Sequence, residues 1–156
     1  MAGGAAGGGL EMDTALAIPR EISEQMARHA EACLPEEACG LLAGRPGKIS
    51  RIFLVENDLH SPVRFHMHPL SQWKALDQID KEGLELLGIF HSHPAGPSEP
   101  SQSDVREFLY PDVVTIILSR GDPGNPQAAG CLDSWVMRAF LIENATVSEV
   151  ILVVEA

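Results

Sequence analysis

The chain has 156 residues, 45% hydrophobic and 21% charged, which fits one globular domain that buries a core without covalent staples. Twenty-two acidic side chains face 11 basic ones, for a net charge of −11, and no run of Lys or Arg breaks this balance, so binding nucleic acid through its phosphates is excluded. An odd, sparse set of three cysteines, no secretory leader pattern and no apolar run near the ~18 residues of a membrane span make the cytoplasm the expected compartment, with no membrane partner.

Residues 1–12 (MAGGAAGGGLEM) are rich in Gly and Ala and lack a period, and read as a flexible tail, with the natural start near Met12. Residues 13–156 then form a single domain, with no repeat or linker to divide them. From Pro19 to about Leu34, Ile22, Met26, Ala30 and Cys33 make one apolar stripe at helical spacing, with Pro19 suited to the first turn and Pro35 as the stop. Cys39–Ala43 reads as a short buried strand closed by Gly44. Ile49–Glu56 and Val63–His68 look like neighbouring strands joined by a polar turn over Asn57–Pro62. Trp73, Leu76 and Ile79 mark a helix over Leu70–Lys81, and Leu84–His93 is a strongly apolar strand. Three prolines stiffen the loop Pro94–Pro100. Ser101–Tyr110 is read as a short helix, Val113–Ser119 as a buried strand, and Gly121–Gly130 as a Gly/Pro loop. Strands over Ser134–Ile142 and Val147–Val154 end the chain. Helices and strands mix without strict βαβ alternation, which argues for an α/β or α+β fold: a mixed, largely antiparallel sheet flanked by helices.

His91 and His93 are two residues apart on a predicted strand and so project from one face. Such a pair chelates a metal where the strand end is open. A catalytic zinc site needs three protein ligands and a free position, so a third donor must come from elsewhere. Asp104 is the candidate, returned to the strand end by the proline loop. The plainer readings are an incidental His pair and a helix-start acid, since Ser101 and Asp104 also have the spacing of a capping box. Glu37, between the first helix and the Cys39 strand, is a candidate general base for a metal-bound water. Its plainer reading is a solvated acid at a helix end, beside Glu36.

Together, Glu37-x-x-Gly40-Leu41, His91-Ser92-His93-Pro94 and Ser101-x-x-Asp104 resemble the signature of the JAMM (MPN-plus) zinc metalloproteases. The resemblance spans about residues 18–154. It implies the JAMM/MPN fold, with its cytidine-deaminase-like layout, a Zn2+ ion on His91, His93 and Asp104, and catalysis by Glu37 as base with Ser101 as an oxyanion donor. Ser92 points to the other strand face and is not cast as a nucleophile. The segments PEEACGLLAG, Asn57–His68 and QWKALDQID are similar to short prokaryotic members that act on ubiquitin-like sulfur carriers. Those members imply hydrolysis of the amide or isopeptide bond after the carrier's C-terminal Gly-Gly, releasing cysteine or another amine. His68, where an acid is common, and the PAGPSEP loop depart from that pattern.

Three rivals remain. A zinc peptidase of small amino-acid conjugates would need no carrier protein, and a non-catalytic MPN scaffold would be expected to lack part of the Glu37, His91, His93, Asp104 set. A thiol hydrolase would pair Cys39 with His91, although Cys39 at an apolar strand start reads as a core residue. A zinc deaminase would need a P-C-x-x-C pair, which this sequence lacks. His66 and His68 share a predicted strand face but have no third ligand nearby; His29 and His60 read as structural. Trp73 and Trp135 are assigned to the core or to a groove wall.

Overall fold

The computed structural model describes residues 15–108, 110–120 and 135–156. The expected tail, the loop Gly121–Gly130 and Cys131 lie outside these residues. In chain order the elements are β1 (Leu16–Pro19), α1 (Arg20–Cys33), β2 (Cys39–Arg45), β3 (Lys48–Val55), α2 (Pro69–Lys81), β4 (Glu85–His93), α3 (Gln102–Arg106), β5 (Val114–Ser119), β6 (Val136–Glu143), β7 (Thr146–Val150) and β8 (Leu152–Glu155). All eight strands of the described residues join one sheet, in the order β7-β6-β5-β4-β2-β3-β1-β8. The pairs β2–β3, β2–β4, β5–β6 and β6–β7 are antiparallel, and β4–β5, β1–β3 and β1–β8 are parallel. The expected mixed, largely antiparallel sheet is therefore present. Among the described residues no helix is long and apolar enough to cross a membrane.

Strand alternation splits the core into two layers. On one face Leu42, Phe90, Ile116 and Leu118 pack against Ile22, Met26, Ala27 and Ala30 of α1. On the other, Cys39, Leu41 and Ile89 pack against Ala75 of α2, with Phe65, Met67 and Tyr110 closing the layer. Even and odd positions of β2 and β4 thus serve different helices, which is why both strands read as continuous apolar runs.

Several elements differ from expectation. Val63–His68 is not a sheet strand: the Arg64 carbonyl and the His66 N–H are taken by the Asn57 side chain, and the segment makes only an isolated bridge, Asn57 to Met67. His66 and His68 therefore share no strand face, and the His68 Nδ1 accepts the Ser71 N–H as the cap of α2. Pro19 ends β1 rather than opening the first turn of α1. The helix expected over Ser101–Tyr110 stops at Arg106. The last expected strand breaks at Ile151, because β7 pairs with β6 while β8 pairs with β1 at the far end of the sheet. One residue, with its carbonyl accepting the Leu16 N–H at 2.8 Å, thus spans the two ends of the eight-strand order. Trp73 is 61% exposed and outside the core, whereas Trp135 is buried and donates its indole N–H to Glu31.

Candidate metal centre

The site forms where β4 leaves the sheet. The register pairs Cys39 with His91, and the Ser92 N–H donates to the Ala38 carbonyl at 2.9 Å. Continuing that register sets Glu37 across from His93, on the face that carries His91 and His93. Ser92 points the other way and is fully buried, its Oγ accepting the Ala38 N–H at 2.8 Å. It fastens the approach to β2 onto β4 and takes no place among the site's polar groups.

The stiff loop after His93 is tied at several points. The Pro97 carbonyl accepts the His93 Nδ1–H at 2.7 Å, and the Gly96 carbonyl accepts the Ser119 hydroxyl at 3.2 Å. Arg138 of β6 donates to the Ser98 hydroxyl and forms a two-pronged pair with Glu149. The loop delivers the chain to Ser101, the cap of α3, where the two readings of Asp104 prove compatible. Asp104 and Ser101 complete a capping box: the Ser101 N–H donates to Asp104 Oδ2 at 2.8 Å, and the Asp104 N–H donates to Ser101 Oγ at 3.1 Å. The same Oδ2 lies 3.1 Å from His91 Nε2 and 3.2 Å from His93 Nε2. The hydrogen bonds of Ser101 thus engage it in holding Asp104.

The two imidazole Nε2 atoms are 3.0 Å apart, so three lone-pair atoms converge in a nearly equilateral triangle. Atoms bound 2.0–2.1 Å from a common tetrahedral centre stand about 3.3 Å apart, so the triangle fits a zinc-sized cation. Hydrogen bonding alone serves these atoms poorly. His93 already spends its Nδ1 proton on Pro97, which turns a bare lone pair inward when the ring is neutral. Complete burial holds His91 below the usual imidazole range, hence neutral, which a ligand requires. Burial would raise the Asp104 carboxyl, but the facing His91 and His93 rings and the Ser101 N–H hold it well below the carboxylate range. His91, His93 and Asp104 are the group among the described residues whose donor atoms could hold a metal ion.

Glu37 is 3% exposed, and its Oε1 has no hydrogen-bond partner, so it is no solvated helix-end acid. Burial pushes its carboxyl up to about 8, with His93 opposing and Asp104 adding to the rise. Cys39 sits opposite His91 in the register, but its Sγ donates to the Val55 carbonyl, and burial pushes the thiol up to about 12. Such a thiol gives no thiolate at neutral pH, which removes the thiol-hydrolase reading.

A cavity of about 250 Å3 opens beside the triangle, lined by Phe65, Met67, His91, Asp104, Phe108 and Tyr110 among others. The Phe65 ring stacks on His91 at 4.5 Å between centroids. Sequence reasoning missed Asn57, whose buried amide organises this wall, and Arg138, which is remote in sequence from the loop it holds. An Asx-turn signal marked the first; the second carried no local signal.

A family model described as prokaryotic homologs of the JAB domain matches residues 19–137. A protein of Pyrococcus furiosus named desampylase is 35% identical over 119 residues, covering 76% of each chain. A protein of Mycobacterium tuberculosis named CysO-cysteine peptidase is 32% identical over 113 residues, 69% of this chain and 75% of that one. Among solved structures, a Desulfitobacterium hafniense protein is 34% identical, with a TM-score of 0.75 over 89% of this chain and 92% of that one.

Proposed function

Because this chain belongs to the prokaryotic JAB family, we propose that it hydrolyses the amide or isopeptide bond after the C-terminal Gly-Gly of a ubiquitin-like sulfur-carrier protein. His91, His93 and Asp104 would hold the zinc ion that this hydrolysis uses. The observation that carries the reading is the triangle of lone pairs, with edges of 3.0–3.2 Å and an orphaned, buried carboxylate oxygen of Glu37 on the same face. The names desampylase and CysO-cysteine peptidase support this reading, the second by joining a peptidase activity to a cysteine conjugate. Residues 13–156 act as one catalytic domain. The two described cysteines, Cys33 and Cys39, are free, which fits work in the cytoplasm.

Bound in the triangle, zinc supplies Lewis acidity to the scissile carbonyl and lowers the pKa of a bound water to about 7. Glu37 takes the proton from the attacking water and returns it to the leaving nitrogen. Its burial suits both steps, because a carboxyl displaced toward neutrality accepts and gives a proton at similar cost. Ser101 fixes Asp104 through the capping box and donates to the developing oxyanion.

The tail reaches the metal along the cavity. Phe65 and Met67 line it, and no hydrogen bond among the described residues reaches the main chain of either. An extended Gly-Gly segment adds to this open edge by main-chain hydrogen bonds, the strand-addition mode. The reading is tested with a carrier adduct ending in Gly-Gly and one whose last Gly is Val, read by intact mass. Selective cleavage of the Gly adduct is expected; equal rates would refute the tail reading.

A further inference from the structure

Asn57 is buried at 6% exposure in a segment that reads as a turn, and its side chain satisfies every hydrogen-bonding position it has. Nδ2 donates to the Glu37 carbonyl and to the Arg64 carbonyl, each at 3.1 Å. Oδ1 accepts the Leu59 N–H at 3.0 Å and the His66 N–H at 3.1 Å. Two carbonyls on one side and two N–H groups on the other fix the orientation of the amide without ambiguity. The bridge beside it adds Asp58 N–H to the His66 carbonyl at 2.8 Å and His68 N–H to the Glu56 carbonyl at 2.9 Å.

Three of the four partners belong to two different parts of the site. Glu37 carries the candidate base, with its N–H held by the Ser61 carbonyl at 2.8 Å. Arg64 and His66 flank Phe65, whose ring stacks on His91 and whose main chain belongs to the open edge. In an extended segment successive residues turn their main-chain groups to opposite sides. By holding residues 64 and 66 from behind, Asn57 therefore turns residues 65 and 67 toward the cavity.

We propose that Asn57 is a positioning residue that holds the base Glu37 and the tail-binding edge Phe65–Met67 in one fixed relation, so that a tail seated on the edge presents its scissile carbonyl to the base. This rests on the function proposed above. No sheet pairing performs the task, since the 63–68 segment lies outside the sheet. One amide spans the gap, and a displacement of about 1 Å between base and substrate is enough to cost on the order of 100-fold in rate.

The test uses Asn57→Asp, which keeps the acceptor for Leu59 and His66 but loses both donations, with Asn57→Ala as the second variant should the first fail to fold. Zinc content, KM and the single-turnover rate on a Gly-Gly carrier adduct are measured in the wild-type and Glu37→Gln backgrounds. The expected result is zinc retained, KM raised several-fold and the rate lowered at least ~10-fold in the wild-type background. In the Glu37→Gln background the rate loss disappears while the rise in KM persists, the non-additivity of groups acting together. Equal rate losses in both backgrounds, or a folded, zinc-loaded variant with unchanged rate and KM, would overturn the proposal. Glu37→Gln alone separates the levels: normal turnover there refutes the base assignment and this proposal with it, whereas slow turnover with equal losses refutes Asn57 alone.

Discussion

Replacing Ser92 with Ala separates a structural serine from a catalytic one in a motif where it stands between two metal-ligand candidates. Its Oγ accepts the Ala38 N–H at 2.8 Å, and both residues are essentially inaccessible to water. Removing the hydroxyl leaves that N–H buried and unpaired, which costs about 1–3 kcal/mol. For a chain of this length each kcal/mol moves Tm by roughly 2–4 °C, so the variant should melt about 2–12 °C below the wild type. The candidate ligands His91, His93 and Asp104 stay in place, and zinc content should be unchanged. Ala38 adjoins Glu37, so turnover should fall modestly, well short of the ~100-fold or more expected for loss of the base. Thermal unfolding followed by circular dichroism, zinc analysis and turnover on one preparation decide the matter. A Tm equal to the wild type would refute the hydrogen-bond argument, and abolished turnover with an unchanged Tm would make Ser92 a nucleophile.

His91→Ala and Asp104→Ala should lose zinc and activity together, because two ligands do not hold the ion of a three-ligand site; stoichiometric zinc in His91→Ala would refute the assignment. Glu37→Gln should keep zinc and lose at least ~100-fold in turnover, and near-normal rates would remove Glu37 from the mechanism. In metal-free protein, folded Glu37 keeps its proton up to about pH 8, whereas the unfolded chain releases it near 4.5. The folded state then binds more protons across that window, so this contribution to stability is full at the acid end and is lost as pH rises toward 8. Glu37→Gln should flatten that slope in denaturant titrations, and an identical slope in both proteins would contradict it. Gly40→Ala places a methyl 2.4 Å from the Phe90 ring and 2.6 Å from the Phe53 carbonyl oxygen, which should cost about 1–3 kcal/mol by overpacking; an unshifted unfolding midpoint would show that the strands yield.

The metal triangle was legible in sequence because its information is local: a two-residue strand period aligns two imidazoles, and a capping-box spacing presents an acid. The capping reading and the ligand reading of Asp104 looked like alternatives, yet one carboxylate oxygen both accepts the capping N–H and faces the two imidazoles. Glu37 was found by its place in a motif, but its burial was not legible, since it depends on β4 and the 57–68 segment covering it. The error at Val63–His68 has a definite cause. Its alternating residues fit a pleated ribbon, but the Arg64 carbonyl and the His66 N–H are taken by the Asn57 side chain and not by a neighbouring strand. A single side chain that reaches back into a segment leaves no period to detect. The division at Ile151 was equally hidden, because pairing partners at opposite ends of a sheet leave no mark on the residues between them.

The junction at Ile151 bears on how the protein is made. β1 needs β8 along one whole side, Leu16 to Pro19 against Leu152 to Glu155, so the earliest described strand waits for the latest. During synthesis the central hairpin β2–β3 and the helices α1 and α2 emerge with their local partners, whereas Leu16 and Ile18 have no neighbour on that side until residue 155 has left the ribosome. Contacts between segments so far apart are slow to form. A chain that lacked Leu152–Glu155 would leave that side of β1 bare, an edge open to pairing with another chain.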